Sequence, residues 1–227
     1  MITQPRYGLK AKVQRLAEPA ESAMSESSLP AMPFRALWRQ VLESLQATDG
    51  TRPLRIGVTA CHSRAGVSTV ATQLAWAATL TGPDEALLID CNAGSPQNTP
   101  GFADLVVSGG ELEQVVQPTP IRRLWSLSAG SPHLHPQLYD HPGLLGETLD
   151  RLAQGYQPLV CDLPPLDSAH LNESSGVLEL VCQLDGVLLV VEAGRTPQDA
   201  IALAQRSLAR HHARLLGVVM NKQRFSV

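Results

Sequence analysis

Between residues 54 and 220 the chain alternates short aliphatic runs with longer stretches whose apolar residues recur at three- and four-residue intervals. The runs Leu54–Ala60, Ala86–Asp90, Leu124–Leu127, Pro158–Asp162, Gly186–Glu192 and Leu215–Met220 predict strands. The stretches 67–81, 101–107, 111–116, 142–155 and 197–212 predict helices. Strands that are continuous in Val, Ile and Leu, rather than alternating, are buried on both faces, as parallel strands beneath helices are. The expected class is therefore α/β, a three-layer sandwich on a mostly parallel central sheet. Ahead of the first strand, apolar residues at 34, 37, 38, 41 and 45 predict an amphipathic helix that stops at the Asp49-Gly50 turn signal. Residues 1–31 mix Pro, Glu, Ser and Ala and predict a flexible tail, because such a composition buries too little surface to offset its ordering entropy. One domain over 32–222 and a short end over 223–227 complete the expected organisation, and no repeat of fixed period is present.

Composition narrows the function classes. Of 227 residues, 44% are apolar and only 4% aromatic, so the expected core is aliphatic. A net charge of −3 lacks the basic footprint that phosphate-backbone binding needs, which argues against nucleic acid as a partner. The longest apolar runs, such as Val187–Val191, are far shorter than the roughly twenty residues of a membrane helix. No apolar segment follows the bases of Met1–Arg15, so a secretory signal is not expected. Cys61, Cys91, Cys161 and Cys182 have no paired spacing and read as buried thiols of a reducing cytosol.

The candidate chemistry begins where the first predicted strand runs through Cys61-His-Ser-Arg-Ala-Gly66-Val67-Ser68-Thr69 into a helix. That is the setting of a phosphate-binding loop, in which successive backbone N–H groups and the helix N-terminus cradle anions and a hydroxyl serves magnesium. Gly66 and Ser68 suit those roles, but Val67 occupies the place of the lysine that reaches the outer phosphates, and Cys61 the leading small position. Arg64, inside the loop, offers a guanidinium that can grip phosphate bidentately. The plainer alternative for these residues is an ordinary strand-to-helix turn. Asp90 and Asp162 each end a predicted buried strand, at the crevice where α/β sheets bind ligands, and two such acids can hold a metal. The alternative is that each caps the turn that follows it. His133, His135 and His141 read as a solvated loop, His211-His212 as a helix cap, and Cys61 as a small buried residue or a redox switch.

Together these segments resemble the cytoplasmic module of bacterial tyrosine kinases for capsular and extracellular polysaccharide, a group close to the cell-division and plasmid-partition P-loop ATPases. The resemblance covers residues 32–222 and rests on the loop, the Asp90 strand, Tyr156–Pro165, Gln117–Ile121, Leu127–Gly130, Asp185–Gly194 and Leu216–Asn221. It implies a P-loop NTPase-like sandwich with ATP or ADP and magnesium as cofactors. Cys61, Arg64, Gly66, Val67, Ser68, Thr69 and Asn221 fall at the nucleotide, Ser68, Asp90 and Asp162 at the metal, and Asp90 and Asp162 at the catalytic positions.

Departures from the family pattern are pronounced. Val67 carries no charge, Asn92 stands where the group has a second Asp, and an arginine expected soon afterwards is missing. Met32, Arg35 and Trp38 replace the Glu, Arg and Arg of the ring-forming helix, and Tyr7, Tyr139 and Tyr156 form no C-terminal cluster. Phosphoryl transfer is catalysed by positioning and charge stabilisation, so these losses fall on the chemistry itself. The expected function is a regulatory or scaffolding subunit of polysaccharide synthesis or export with weakened nucleotide binding and little or no turnover. It would be cytoplasmic, recruited to the inner membrane face by the cytoplasmic part of a co-polymerase or export protein, with homo-oligomers open. The rival readings are an active kinase or ATPase in which Arg64 replaces the lysine, and a partition-type ATPase switch.

Overall fold

The computed structural model describes residues 32–45, 53–82, 84–92, 99–134, 142–167 and 175–221. The expected tail, the Asp49-Gly50 turn, His135, Tyr139, His141 and the C-terminal end lie outside them. In chain order the elements are α1 (Met32–Leu45), β1 (Arg55–Ala60), α2 (Val67–Ala78), β2 (Ala86–Asp90), α3 (Phe102–Ser108), α4 (Leu112–Val115), β3 (Val116–Pro118) and β4 (Leu124–Leu127). After a 3-10 turn at Pro132–Leu134 come α5 (Pro142–Gly155), β5 (Leu159–Asp162), α6 (Ser175–Cys182), β6 (Gly186–Glu192), α7 (Gln198–Arg210) and β7 (Leu215–Asn221).

The strands form one seven-stranded sheet in the order β3-β4-β2-β5-β1-β6-β7. All neighbours run parallel except β3, which pairs antiparallel with β4 at the edge. Every residue of β1, β5 and β6 is buried, as their unbroken aliphatic runs require. One face is covered by α1 and α2 through Trp38, Val41, Val70 and Leu74; the other packs around Phe102, Leu145, Leu149 and Leu208. Alanines at 71, 75, 77 and 78 give α2 its helix propensity and let it lie close to the sheet. Just beyond its end, the Arg123 guanidinium donates to the carbonyls of Thr79 and Gly82.

Helix α1 packs on α2. Its Trp38 is 2% exposed, and the indole N–H donates to the Thr81 hydroxyl at 2.7 Å. The side chain at the last position of the expected ring motif is thus committed to this chain's own core. Cys61, Cys91 and Cys161 are buried thiols as expected, whereas Cys182 is exposed. It is the last residue of α6, beyond the buried Val177, Leu178, Leu180 and Val181, and its Sγ meets the His211 carbonyl. His212, with a φ of 56°, terminates α7 in the left-handed conformation that commonly ends helices.

The Leu127–Gly130 segment has a packing role. The Asp104 carboxylate accepts from the Ser131 hydroxyl at 2.7 Å, the Ser131 N–H at 2.8 Å and the Gly101 N–H at 2.9 Å. A Cβ at Gly130 would lie 2.4 Å from that carboxylate. Partial burial pushes the Asp104 carboxyl up, but the Ser131 and Gly101 donors outweigh it and hold it below the usual range. The unfolded chain therefore binds this proton more tightly, and the stabilisation, complete at neutral pH, fades as the pH falls below about 3.9 and through the lowered folded value. Asp104→Ala is expected to cost about 1–2 kcal/mol at pH 7. Asp104→Asn should flatten the acid limb of stability against pH in chemical denaturation.

Candidate functional site

Parallel strands bring their carboxyl ends to one edge of the sheet, and the predicted chemistry gathers there. β1 runs into a turn over residues 61–66, and α2 starts directly after Gly66, whose φ is 97°. Arg64, with a φ of 65°, is also left-handed. The first turn of α2 contains no acid, and its orphan N–H groups carry the positive end of the helix dipole. Ser68 and Thr69 are exposed in that turn. Val67 is half-buried and packs against the α1–α2 core, so an aliphatic contact occupies the place where the resemblance puts a cation. Arg64 is exposed at the turn, and Cys61 is buried. Burial pushes the Cys61 thiol up, the opposite of the acidification that a redox role needs.

Asp90 and Asp162 are register partners on the adjacent strands β2 and β5, about 4.8 Å apart as strands, so their carboxylates share a face. Burial pushes the Asp162 carboxyl up, and the neighbouring Asp90 charge adds to this. Hydrogen bonds from Ser68 and Asn92 oppose the rise without cancelling it. Asn92 braces the pair. Its backbone N–H and side-chain amide donate to Asp90 Oδ1 at 2.9 and 3.0 Å, and the amide also reaches the Asp162 carbonyl at 3.2 Å. Two hard carboxylates with a hydroxyl beside them suit magnesium, which takes one or two acids and completes its shell with phosphate oxygens and water. Among the described residues no group of three or more His, Cys, Asp or Glu is placed to hold a metal by itself. Beside Asp90 a cavity of about 420 Å³ is lined by Gln114, Gln117, Ser126 and Ser128 over Leu88.

Two contacts at the loop have no counterpart in the local sequence pattern. Asn221, at the end of β7, donates its side-chain amide to the Ala65 carbonyl at 2.8 Å. His62 Nδ1 lies 2.9 Å from the Ser63 carbonyl oxygen and must donate to it, while Nε2 lies 3.0 Å from the Thr196 hydroxyl. Thr196 in turn accepts from the Glu192 N–H at 2.8 Å. His133 is exposed in the 3-10 turn and joins none of this.

A strand, a glycine turn, a helix and two strand-terminal acids on a mostly parallel sheet are the layout of a P-loop NTPase-like domain. In sequence the chain is similar to bacterial tyrosine-protein kinases. It is 25% identical to the tyrosine-protein kinase YwqD of Bacillus subtilis over 198 residues, covering 83% of this chain and 81% of that protein. To the tyrosine-protein kinase CpsD of Streptococcus agalactiae it is 22% identical over 181 residues, 76% of each. No family model matches the chain. In structure it is similar to the chimerical protein CapA2B2, at a TM-score of 0.72 with 22% identity, covering 94% of this chain and 91% of that one. For the BceF tyrosine kinase domain the TM-score is 0.69 with 23% identity, over 82% of this chain and 75% of that one. The cell-division protein MinD of Aquifex aeolicus is more distant, at 0.53 with 18% identity over 74% and 69%. The domain is thus tyrosine-kinase-like in sequence and P-loop NTPase-like in fold. Among the described residues no helix is long and apolar enough to cross a membrane.

Proposed function

We propose that this chain is a regulatory or scaffolding subunit of capsular or extracellular polysaccharide synthesis or export, built on a kinase-like scaffold that turns over little or no ATP. The observation that carries the reading is Val67: the side chain at the lysine position packs, half-buried, against the core that α1 and α2 form on the sheet, while the glycine turn, Ser68 and the acid pair are all retained. A bound nucleotide would rest its phosphates on residues 64–69 and its magnesium on Ser68, Asp90 and Asp162, with the cation supplying charge neutralisation. The backbone cradle needs no lysine, so binding is weakened rather than lost. Removing a single preorganised donor costs on the order of 10²–10³ in rate, which places turnover near zero. The chain works in the cytoplasm, and its partner is the cytoplasmic part of a membrane protein of the same machinery, as its likeness to the kinases supports.

The test is a thermal melt with and without magnesium–ATP, alongside an assay of phosphate release. A ligand at a hundred times its dissociation constant adds about 2.7 kcal/mol, so weakened binding predicts a small upward shift at millimolar nucleotide and no release. A large shift with steady release defeats the reading. A second reading, an active kinase in which Arg64 serves as the loop cation, draws on Arg64's left-handed φ of 65°, a conformation usually left to glycine. Its site has room for an acceptor hydroxyl in the mostly uncharged cavity that Asp90 lines. That reading requires Arg64→Ala to abolish a turnover that the parent protein displays.

A further inference from the structure

We infer that Asn221 and His62 are positioning residues of the phosphate cradle: each holds a loop carbonyl away from the ligand space and thereby aims the next backbone N–H into it. The inference rests on the reading that the loop takes phosphate, and deepens it by naming what sets the loop's shape. In a planar trans peptide the C=O and the following N–H point in opposite directions. Asn221 holds the Ala65 oxygen at 2.8 Å, which fixes the Gly66 N–H on the other side of that peptide. His62 Nδ1 holds the Ser63 oxygen at 2.9 Å, which does the same for the Arg64 N–H. Arg64 and Gly66 are the two left-handed residues of the turn, and Ala65 between them is not. Alternation of this kind turns successive N–H groups toward one concavity that accepts an anion.

Each holding side chain is itself fixed from outside the loop. Asn221 is the last residue of β7 and sits where a Cβ on Gly66 would be, only 2.2 Å away. The His62 ring is held through Nε2 by Thr196, whose hydroxyl is anchored on the Glu192 N–H at the end of β6. The ends of β6 and β7 thus set the peptide orientations of a loop that follows β1. This differs from what the family resemblance implies for Asn221, a place near the adenine. A base contact affects nucleotides alone, whereas loop positioning affects any polyphosphate.

The test is calorimetric titration of the whole chain with magnesium–ADP and with magnesium–pyrophosphate, in the parent, Asn221→Leu and His62→Ala. Asn221→Leu keeps the bulk and removes the donor, and is expected to weaken both ligands by the same factor, about tenfold. In the parent, the Gly66 and Arg64 amide resonances should move on addition of pyrophosphate, and in Asn221→Leu the Gly66 response should be lost while that of Arg64 persists. A purely structural role would leave the Gly66 response in place. Loss of ADP binding with pyrophosphate binding unchanged makes Asn221 a base contact and overturns the inference while leaving the nucleotide site standing. A parent that takes neither ligand overturns the phosphate reading and this inference with it. If Asn221→Leu does not fold, His62→Ala decides: equal weakening of both ligands with a lost Arg64 response supports the inference, and unchanged binding overturns it.

Discussion

Val67→Lys is expected to raise the affinity for magnesium–ATP by about ten- to a hundredfold. The retained turn already presents its amides, and a charge-assisted hydrogen bond to an outer phosphate adds about 1.5–3 kcal/mol. The cost to the fold is small, because Val67 is only half-buried and a lysine stem can cover the same apolar surface while its ammonium leaves it. Calorimetric titration measures the gain, and phosphate release shows whether charge alone restores turnover. The acid pair and Ser68 are in place, so some release is expected to appear. An unchanged affinity would mean that the loop is not the cradle its backbone describes, and the proposed function would lose its main support.

The second large effect is at Gly66. Its φ of 97° belongs to glycine, and a Cβ there would lie 2.2 Å from the Asn221 amide nitrogen. Gly66→Ala must either push Asn221 off the Ala65 carbonyl or flip the peptide, and both outcomes destroy the cradle. A strained backbone position of this kind costs about 1–3 kcal/mol, which for a chain of this length lowers the melting temperature by roughly 2–12 °C. Pyrophosphate binding should disappear from calorimetry at the same time. Gly143→Ala is the control: nothing lies within 4 Å of the added Cβ in α5, and alanine is the better helix residue. The control should melt at or above the parent temperature.

Much of the fold was legible locally. The six predicted strands are all present, and their continuous aliphatic runs correctly implied a mostly parallel sheet; burial on both faces holds for β1, β5 and β6 but not for the edge strand β7, where Val218 and Met220 are exposed. The predicted helix over 67–81 stops at Ala78, where the N–H groups of Thr79, Leu80 and Thr81 turn back onto the carbonyls of Trp76, Ala77 and Ala78 in a tighter turn. β3 was not legible: three residues ending in a proline carry no alternating pattern, and only its pairing with β4 makes it a strand. The helix Ser175–Cys182 was missed as well, because an eight-residue, mostly apolar segment has too few turns to declare a period. The surface position of Cys182 was likewise invisible, since burial of a single residue depends on which side of that helix meets the sheet.

The candidate site divides in the same way. The chain by itself determined the strand, glycine turn and helix of the loop, an uncharged Val67 within it, and the placing of an acid at the end of each of two buried strands. These are properties of neighbours in sequence, where spacing and side-chain chemistry act within a few residues. Only the tertiary structure decided that Asp90 and Asp162 are register partners, that Asn92 ties their strands together, and that Val67 is spent on packing. The grip of Asn221 on Ala65 and of Thr196 on His62 spans 156 and 134 residues. A hydrogen bond over such a separation depends on the order and register of strands, which follow from the burial of the whole sheet and leave no periodic mark near either partner.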